Sequence, residues 1–250
     1  MITGASEGVG AALAAEFAVC GAKLALVARN EEGLRRAADF ANPLIIAGDI
    51  TQEATRRRAV DATLERYGTI DVLINNAGIG MYQPSWEMPL DDARALFELN
   101  FFAPLALTQL VVPHMRERHS GMIVNVGSIA GKVVLPWLTI YSVTKYALGA
   151  LTEGQRMELR RDGIQTMIVC PGYVKTRFQQ NVRAGVAPDK VLAARARAIT
   201  AEQCAAAIRR GVERDARTVV TPRIGWLFVL AMRLFPTLVE SKMAAMNGAV

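Results

Sequence analysis

Cysteine and histidine are scarce: the chain of 250 residues has three cysteines, Cys20, Cys170 and Cys204, and two histidines, His114 and His119. An odd number of cysteines without ligand spacing excludes a disulfide framework and a zinc site, and points to reduced, buried small side chains of a cytoplasmic protein. The histidines fall at the end of an expected helix beside Arg116 and Arg118. Solvation of a helix terminus accounts for them better than catalysis or metal binding, so no metal site is expected. A basic segment followed by an apolar stretch is missing from the start, where Met1 leads straight into a glycine turn, so no secretory signal is expected. The apolar run of the tail is too short to span a bilayer. Internal repeats, low-complexity segments and interdomain linkers are also lacking, which leaves one domain.

Hydrophobic residues make up 52% of the chain and charged residues 21%, enough for a large core and against disorder. The length suits one doubly wound α/β unit. A formal charge of +6, with Arg56-Arg57-Arg58 and Arg209-Arg210, raises a nucleic-acid reading. The arginines are scattered over several expected amphipathic helices, where solvated faces are the default, and no aromatic stacking platform accompanies them. No nucleic-acid partner is therefore expected, whereas a basic surface would attract a polyanionic dinucleotide.

Apolar runs at residues 23–28, 44–47, 71–75, 122–126, 164–170 and 218–221 read as strands, and the stretches between them are long enough for crossover helices. A parallel sheet with helices on both faces follows. Thr200 and Gln203 form a capping box that opens the helix before the last strand. Residues 1–222 make the main unit, and 223–250 are an apolar helical tail of the same domain.

Tyr141 and Lys145 stand one helical turn apart on one face of the expected helix 140–159. A free tyrosine has a pKa of about 10; a fixed cation nearby favours the phenolate and is expected to bring Tyr141 towards the working range of a proton donor and acceptor. Upstream, Ser128 follows an apolar run at the carboxyl end of a strand, where open α/β sheets place ligand groups. Its hydroxyl can donate to and accept from a substrate oxygen. Thr3-Gly4-Ala5-Ser6-Glu7-Gly8-Val9-Gly10 precedes a helical pattern; glycines at a strand-to-helix turn let backbone approach a pyrophosphate, which sits on the amides of the helix N-terminus.

Taken with Asp49, the Asn75-Asn76-Ala77-Gly78 turn, Asn100 and the run from Pro171 to Thr176, these motifs resemble the short-chain dehydrogenase/reductase family in its compact, single-domain form. The resemblance covers nearly the whole chain and implies a doubly wound, Rossmann-type sheet. It implies a catalytic tetrad of Asn100, Ser128, Tyr141 and Lys145. It also implies a dinucleotide held by Gly4, Ser6, Glu7, Gly8, Val9 and Gly10, by Asp49 and Ile50 at the adenine, and by Asn76, Ala77 and Gly78 in the cleft. Tyr141 and Lys145 would reach the ribose side, and Pro171, Gly172, Val174 and Thr176 the nicotinamide side. One departure is plain: family members usually carry several apolar strand residues before the Thr-Gly, so the first strand, central in this fold, is expected to be a stub. A start placed late and cover by neighbouring strands both remain open.

Cofactor choice turns on the end of the second strand. Ala28 occupies the place of the acid in NAD-using relatives, and Arg29 follows with a fork suited to phosphate, which favours NADP over NAD. Glu7 weighs against it, because many NADP-using relatives carry a basic residue there. The expected activity is interconversion of a secondary alcohol and a ketone, or reduction of an aldehyde. The rival is a non-catalytic nucleotide-binding protein on the same fold. Leu135, Pro136, Trp137 and Leu138 before Tyr141, with Ile79, Met81 and Tyr82 after the Asn-Asn-Ala-Gly turn, imply an apolar pocket and a hydrophobic substrate. Residues 177–199 resemble the family's mobile substrate-binding segment, with a plain surface helix as the alternative. In the tail, Trp226, Leu227, Leu230 and Leu234 recur at helical spacing. A homo-oligomer contact or a lid over the pocket is the expected use of that face, and a peripheral membrane contact through Arg233 and Lys242 is the alternative.

Overall fold

The computed structural model describes residues 1–38, 42–177 and 198–246. Nine strands occur among them: β1 (Ile2–Thr3), β2 (Ala25–Ala28), β3 (Leu44–Ala47), β4 (Val72–Asn75), β5 (Gly121–Val126), β6 (Ile164–Pro171), β7 (Val174–Lys175), β8 (Ile199–Thr200) and β9 (Thr218–Thr221). Seven form one parallel sheet in the order β3-β2-β1-β4-β5-β6-β9, and β7 pairs with β8 apart from it. The helices are α1 (Gly8–Val19), α2 (Glu31–Ala37), α3 (Glu53–Tyr67), α4 (Leu90–Phe97), α5 (Ala103–Glu117), α6 (Thr139–Glu158), α7 (Ala201–Glu213), α8 (Gly225–Leu234) and α9 (Pro236–Met246). A π-helical turn, Glu98–Phe102, joins α4 to α5.

Side chains of a strand alternate between faces, so a sheet covered on both sides needs apolar residues at consecutive positions. Val27, Leu73 and Ile123 pack on one face with Ala59, Leu107 and Val111 from α3 and α5. Leu26, Ile74 and Val124 pack on the other with Leu13 of α1 and Cys204 and Ile208 of α7. Cys170 is buried as expected, but Cys20 is exposed at the end of α1, because the helix stops there and turns its last residues to solvent.

The first strand is a stub of two residues and is central. Ile2 registers with Leu26 on one side and Ile74 on the other, and is 1% exposed. The neighbours extend the pairing: Ile74 N donates to Met1 O at 2.8 Å and Ala5 N to Val27 O at 3.3 Å. Strand order reverses between β1 and β4, which opens a crevice at the carboxyl ends of the strands.

The capping box is present: Gln203 N donates to Thr200 Oγ1 at 3.2 Å and Thr200 N to Gln203 Oε1 at 2.9 Å. The arginines of α3 are not a uniform solvated face. Arg57 pairs with Glu53, but Arg56 Nη1 donates to Ile50 O and Thr51 O, and Arg58 Nη2 to Ala47 O. Residues 178–197, the greater part of the expected substrate segment, lie outside the described residues.

Candidate active site

A cleft of about 1050 Å³ runs along the carboxyl ends of the strands. Three glycines of the first turn shape one end of it, each for its own reason. Gly4 has φ +65, and a Cβ there would lie 2.8 Å from Ala77 Cα. Gly8, with φ +57, faces the Thr176 side chain, which a Cβ would meet at 3.2 Å. Gly10 lets α1 settle on the turn, since its Cβ would stand 2.1 Å from Gly4 O. The residue preceding α1, Glu7, gives it no side-chain cap, which leaves first-turn amides for an anion at the positive end of the helix dipole.

Thr3 holds this turn to the end of β4. Its Oγ1 accepts from Asn76 N at 3.0 Å and Ala77 N at 3.1 Å, and donates to Ile74 O at 3.4 Å. Asn76 Nδ2 reciprocates, donating to Thr3 O at 2.9 Å and Gly4 O at 3.2 Å. The Thr3 role is invisible in the motif spacing, because it depends on a contact across two strands.

At the centre of the cleft stand Ser128, Tyr141 and Lys145. Ser128 follows β5, accepts from Ala130 N at 3.1 Å, and hydrogen-bonds the Tyr141 side chain. Lys145 Nζ donates to Val126 O at 3.0 Å and lies 5.7 Å from the centroid of the Tyr141 ring. Both residues are buried, at 7% and 4% exposure. Burial pushes the Tyr141 phenol up to about 12; the Ser128 hydrogen bond works the other way, and Tyr82 and Cys170 add to the rise. Burial also brings the Lys145 ammonium down to about 8, against the pull of Cys170. The Tyr141 pKa thus moves opposite to the expected direction: loss of water around the phenol dominates, and the contribution that opposes it is the Ser128 hydrogen bond.

Asn100 stands one layer behind, fully buried in the π-helical turn, a feature that recurs at functional sites. Its Oδ1 accepts from Ile79 N at 3.0 Å, and its Nδ2 donates to Ile79 O at 2.9 Å and Thr144 Oγ1 at 3.1 Å. It therefore ties the loop after β4 to α6. A Cβ on Gly78 would lie 3.1 Å from Asn100 Oδ1 and 3.5 Å from Lys145 Nζ, so the absence of a side chain there keeps the two polar groups close. A second buried chain, Asn75 Nδ2 to Asn125 Oδ1 at 2.8 Å and Asn125 Nδ2 to Thr152 Oγ1 at 2.9 Å, fixes β4 and β5 to α6.

The far end of the cleft is lined by Ala28, Arg29, Gly48, Asp49 and Ile50. Asp49 Oδ1 accepts from Thr51 N at 2.9 Å and Thr51 Oγ1 at 2.8 Å, which fixes the loop after β3. Arg29 is exposed and has no ion pair among the described residues. Ser6, Val9, Pro171, Gly172, Val174 and Thr176 also line the cleft. Of the residues expected to hold the cofactor or to catalyse, Gly10 and Asn100 stand behind its wall; of those expected in the apolar pocket, Met81, Pro136 and Trp137 do not line it, Met81 being buried with Met88 and Leu96 instead. Ile79, Tyr82, Leu135 and Leu138 give it an apolar part next to Tyr141. None of the tail's described residues lines it, so the lid reading of α8 is not borne out; Leu227, Leu230 and Leu234 face away from the chain at 64%, 51% and 61% exposure, and Val229 is buried.

The residues fit a dinucleotide: a glycine-rich turn at a helix N-terminus without a side-chain cap, a crevice at the strand reversal, and a phenol, hydroxyl and ammonium together at its centre. A family model described as short chain dehydrogenase matches residues 1–187. The chain is 30% identical to a "Dehydrogenase/reductase SDR family protein 7-like" of Anopheles gambiae, with 99% of this chain and 84% of that one covered. It is 35% identical to "Dehydrogenase/reductase SDR family member 7B" of Mus musculus, over 72% of this chain and 59% of the relative's length. A solved short chain dehydrogenase/reductase of Burkholderia phymatum in complex with NAD superimposes with a TM-score of 0.86 at 26% identity, covering 95% of this chain and 93% of that one. A short-chain dehydrogenase of Sphingobium yanoikuyae in complex with NADPH gives 0.78 at 27% identity, covering 99% and 94%. This chain belongs to the short-chain dehydrogenase/reductase family.

Proposed function

We propose that the protein is an NADP(H)-dependent oxidoreductase that interconverts a secondary alcohol and a ketone, or reduces an aldehyde, on a hydrophobic substrate. The observation that carries this reading is the meeting of Ser128, Tyr141 and Lys145 at the centre of a dinucleotide-shaped cleft. When bound, a nicotinamide dinucleotide carries the hydride.

The chain's own residues do the rest. Ser128 holds the substrate oxygen, and Tyr141 gives its phenolic proton to that oxygen in reduction or takes one from the alcohol in oxidation. With the phenol at about 12, Tyr141 is protonated at neutral pH, which suits the reducing direction. Lys145, anchored on Val126 O, keeps further N–H donors for the ribose. Asn100 holds the loop and helix that carry these groups in register. Ile79, Leu135 and Leu138 exclude water from the reacting end and favour apolar substrates.

Arg29, without a carboxylate partner among the described residues and next to Ala28, supports NADP; Glu7 on the same cleft is the opposing charge. The exposed apolar face of α8 and α9 is read as a contact between copies of the chain, since Ile224, Leu227, Leu234, Phe235 and Leu238 together exceed scattered surface apolarity. Unpaired cysteines suit a reducing cytoplasmic setting. The test is oxidation of NADPH and NADH against ketones and aldehydes of graded size and polarity. Turnover favouring NADPH and apolar carbonyls supports the reading; nucleotide binding with no turnover across the panel favours a non-catalytic nucleotide-binding protein.

A further inference from the structure

Arg56 of α3 stands outside the cleft, yet it holds the loop that lines it: Asp49, Ile50 and Thr51 are in the cleft wall. The carbonyls of that loop are all engaged within the chain. Gln52 N donates to Asp49 O at 3.0 Å, Arg56 Nη1 to Ile50 O at 2.9 Å and to Thr51 O at 2.6 Å, and Arg56 N to Gln52 O at 3.2 Å. Asp49 Oδ1 accepts from Thr51 N and Thr51 Oγ1. What the loop leaves is one acceptor, Asp49 Oδ2, and one donor, Ile50 N, neither with a hydrogen bond among the described residues. The guanidinium is committed to its place: Arg56 Nε is buried with no partner among the described residues, so the head gives up the hydration of one donor to reach the two oxygens. Arg57, the next residue, stays exposed and pairs with Glu53 one turn away.

We infer that Arg56 is a positioning residue for base recognition: by fixing the carbonyls of Ile50 and Thr51 it sets Asp49 Oδ2 and Ile50 N relative to one another, so that the pair accepts an adenine edge and rejects a hypoxanthine edge. The inference rests on the reading of the cleft as a dinucleotide site with its adenine at Asp49. Adenine presents an amino donor beside a ring-nitrogen acceptor, which a carboxylate oxygen and an amide N–H complement. Hypoxanthine presents a carbonyl oxygen beside a ring N–H, the reverse at both positions, so the carboxylate would face an acceptor and the amide a donor. That discrimination needs both loop groups held at once, and Arg56 bonds the two residues that follow Asp49.

Calorimetric titration of the whole protein with adenosine 5′-monophosphate and with inosine 5′-monophosphate, which share sugar and phosphate, reads the base alone and needs no turnover. The parent is expected to prefer the adenosine ligand. Arg56→Met keeps an unbranched stem and removes both bonds; it should weaken the adenosine ligand about tenfold and leave the inosine ligand within twofold, with Arg56→Lys in between. On an Asp49→Ala background, Arg56→Met should change the ratio no further, because the group it positions is gone. Equal weakening of both ligands would make Arg56 a strut for α3 and overturns the inference, as does an unchanged ratio or a full effect that persists without Asp49. Should Arg56→Met fail to fold by circular dichroism, the ratio in Arg56→Lys decides. A parent that binds the two ligands equally overturns the placement of adenine at Asp49, and one that binds neither overturns the dinucleotide reading; a parent with the expected preference and an inert Arg56 overturns the inference alone.

Discussion

Lys145 is anchored to Val126 O at 3.0 Å and lies over the flank of Tyr141, 5.7 Å from the ring centroid. Burial moves both groups towards neutrality, the ammonium down to about 8 and the phenol up to about 12. Between those values the pair carries no charge.

The pair gives stability a pH dependence of defined sign. The folded Lys145 releases its proton near 8 whereas the unfolded one holds it to about 10.4. The unfolded chain therefore binds more protons between those values, and stability rises with pH there. That contribution is fully present above the unfolded pKa and lost as pH falls through 8. Tyr141 acts oppositely: its contribution is complete below about 10 and is lost as pH rises through 12. Urea denaturation at pH 7 and pH 9.5 should show the parent gaining roughly 2 kcal/mol relative to Lys145→Met over that interval. Parallel profiles would contradict the buried ammonium.

Ser128 is predicted to act on the phenol as well as on substrate. Its hydrogen bond is what opposes the upward push on Tyr141, so Ser128→Ala should raise the phenol pKa further, in addition to lowering kcat by about 100-fold. The tyrosine absorbance titration of the variant against the parent checks the first part. A phenol that titrates lower without Ser128 contradicts it.

The glycines separate structure from tolerance. Gly10→Ala places a methyl 2.1 Å from Gly4 O, where backbone cannot yield, and is expected to cost roughly 3 kcal/mol and to abolish nucleotide binding. Gly154→Ala in α6 meets nothing closer than Glu158 at 3.9 Å and should stabilise by about 1 kcal/mol, the helix propensity difference. Thermal melts with and without nucleotide check both; a tolerated Gly10→Ala would mean the turn is not built by close approach.

Much of this was legible in the residues because strand periodicity and glycine spacing are local signals. Runs 44–47 and 218–221 became strands with those bounds, and Tyr141, Lys145 and Ser128 meet as their spacing implies. What depends on tertiary context was not legible. The Tyr141 pKa is set by burial, which no single position reveals. Arg56 and Arg58 look like solvated charges until α3 is laid beside β3. Thr3, Thr144 and Thr152 act through bonds that span distant elements, and the π-helical turn around Asn100 has no propensity signature. The short β7 and β8 have too few residues to show a period.

The tail gives a prediction about assembly. Leu227→Glu with Leu234→Glu alters two exposed positions on α8 and leaves buried Val229 in place, so the fold should persist while the assembly becomes smaller by sedimentation. Unchanged sedimentation, with the parent co-sedimenting with anionic phosphatidylserine vesicles and the variant not, would assign the face to a membrane surface.

Tyr141 is predicted to transfer the substrate proton. Tyr141→Phe keeps the ring against Leu138 and Tyr82 and removes only the hydroxyl. Single-turnover NADPH oxidation with an apolar ketone that the parent reduces should fall at least about 100-fold, while NADPH binding by fluorescence stays within twofold. A variant within about threefold of the parent rate would contradict general acid catalysis by this residue.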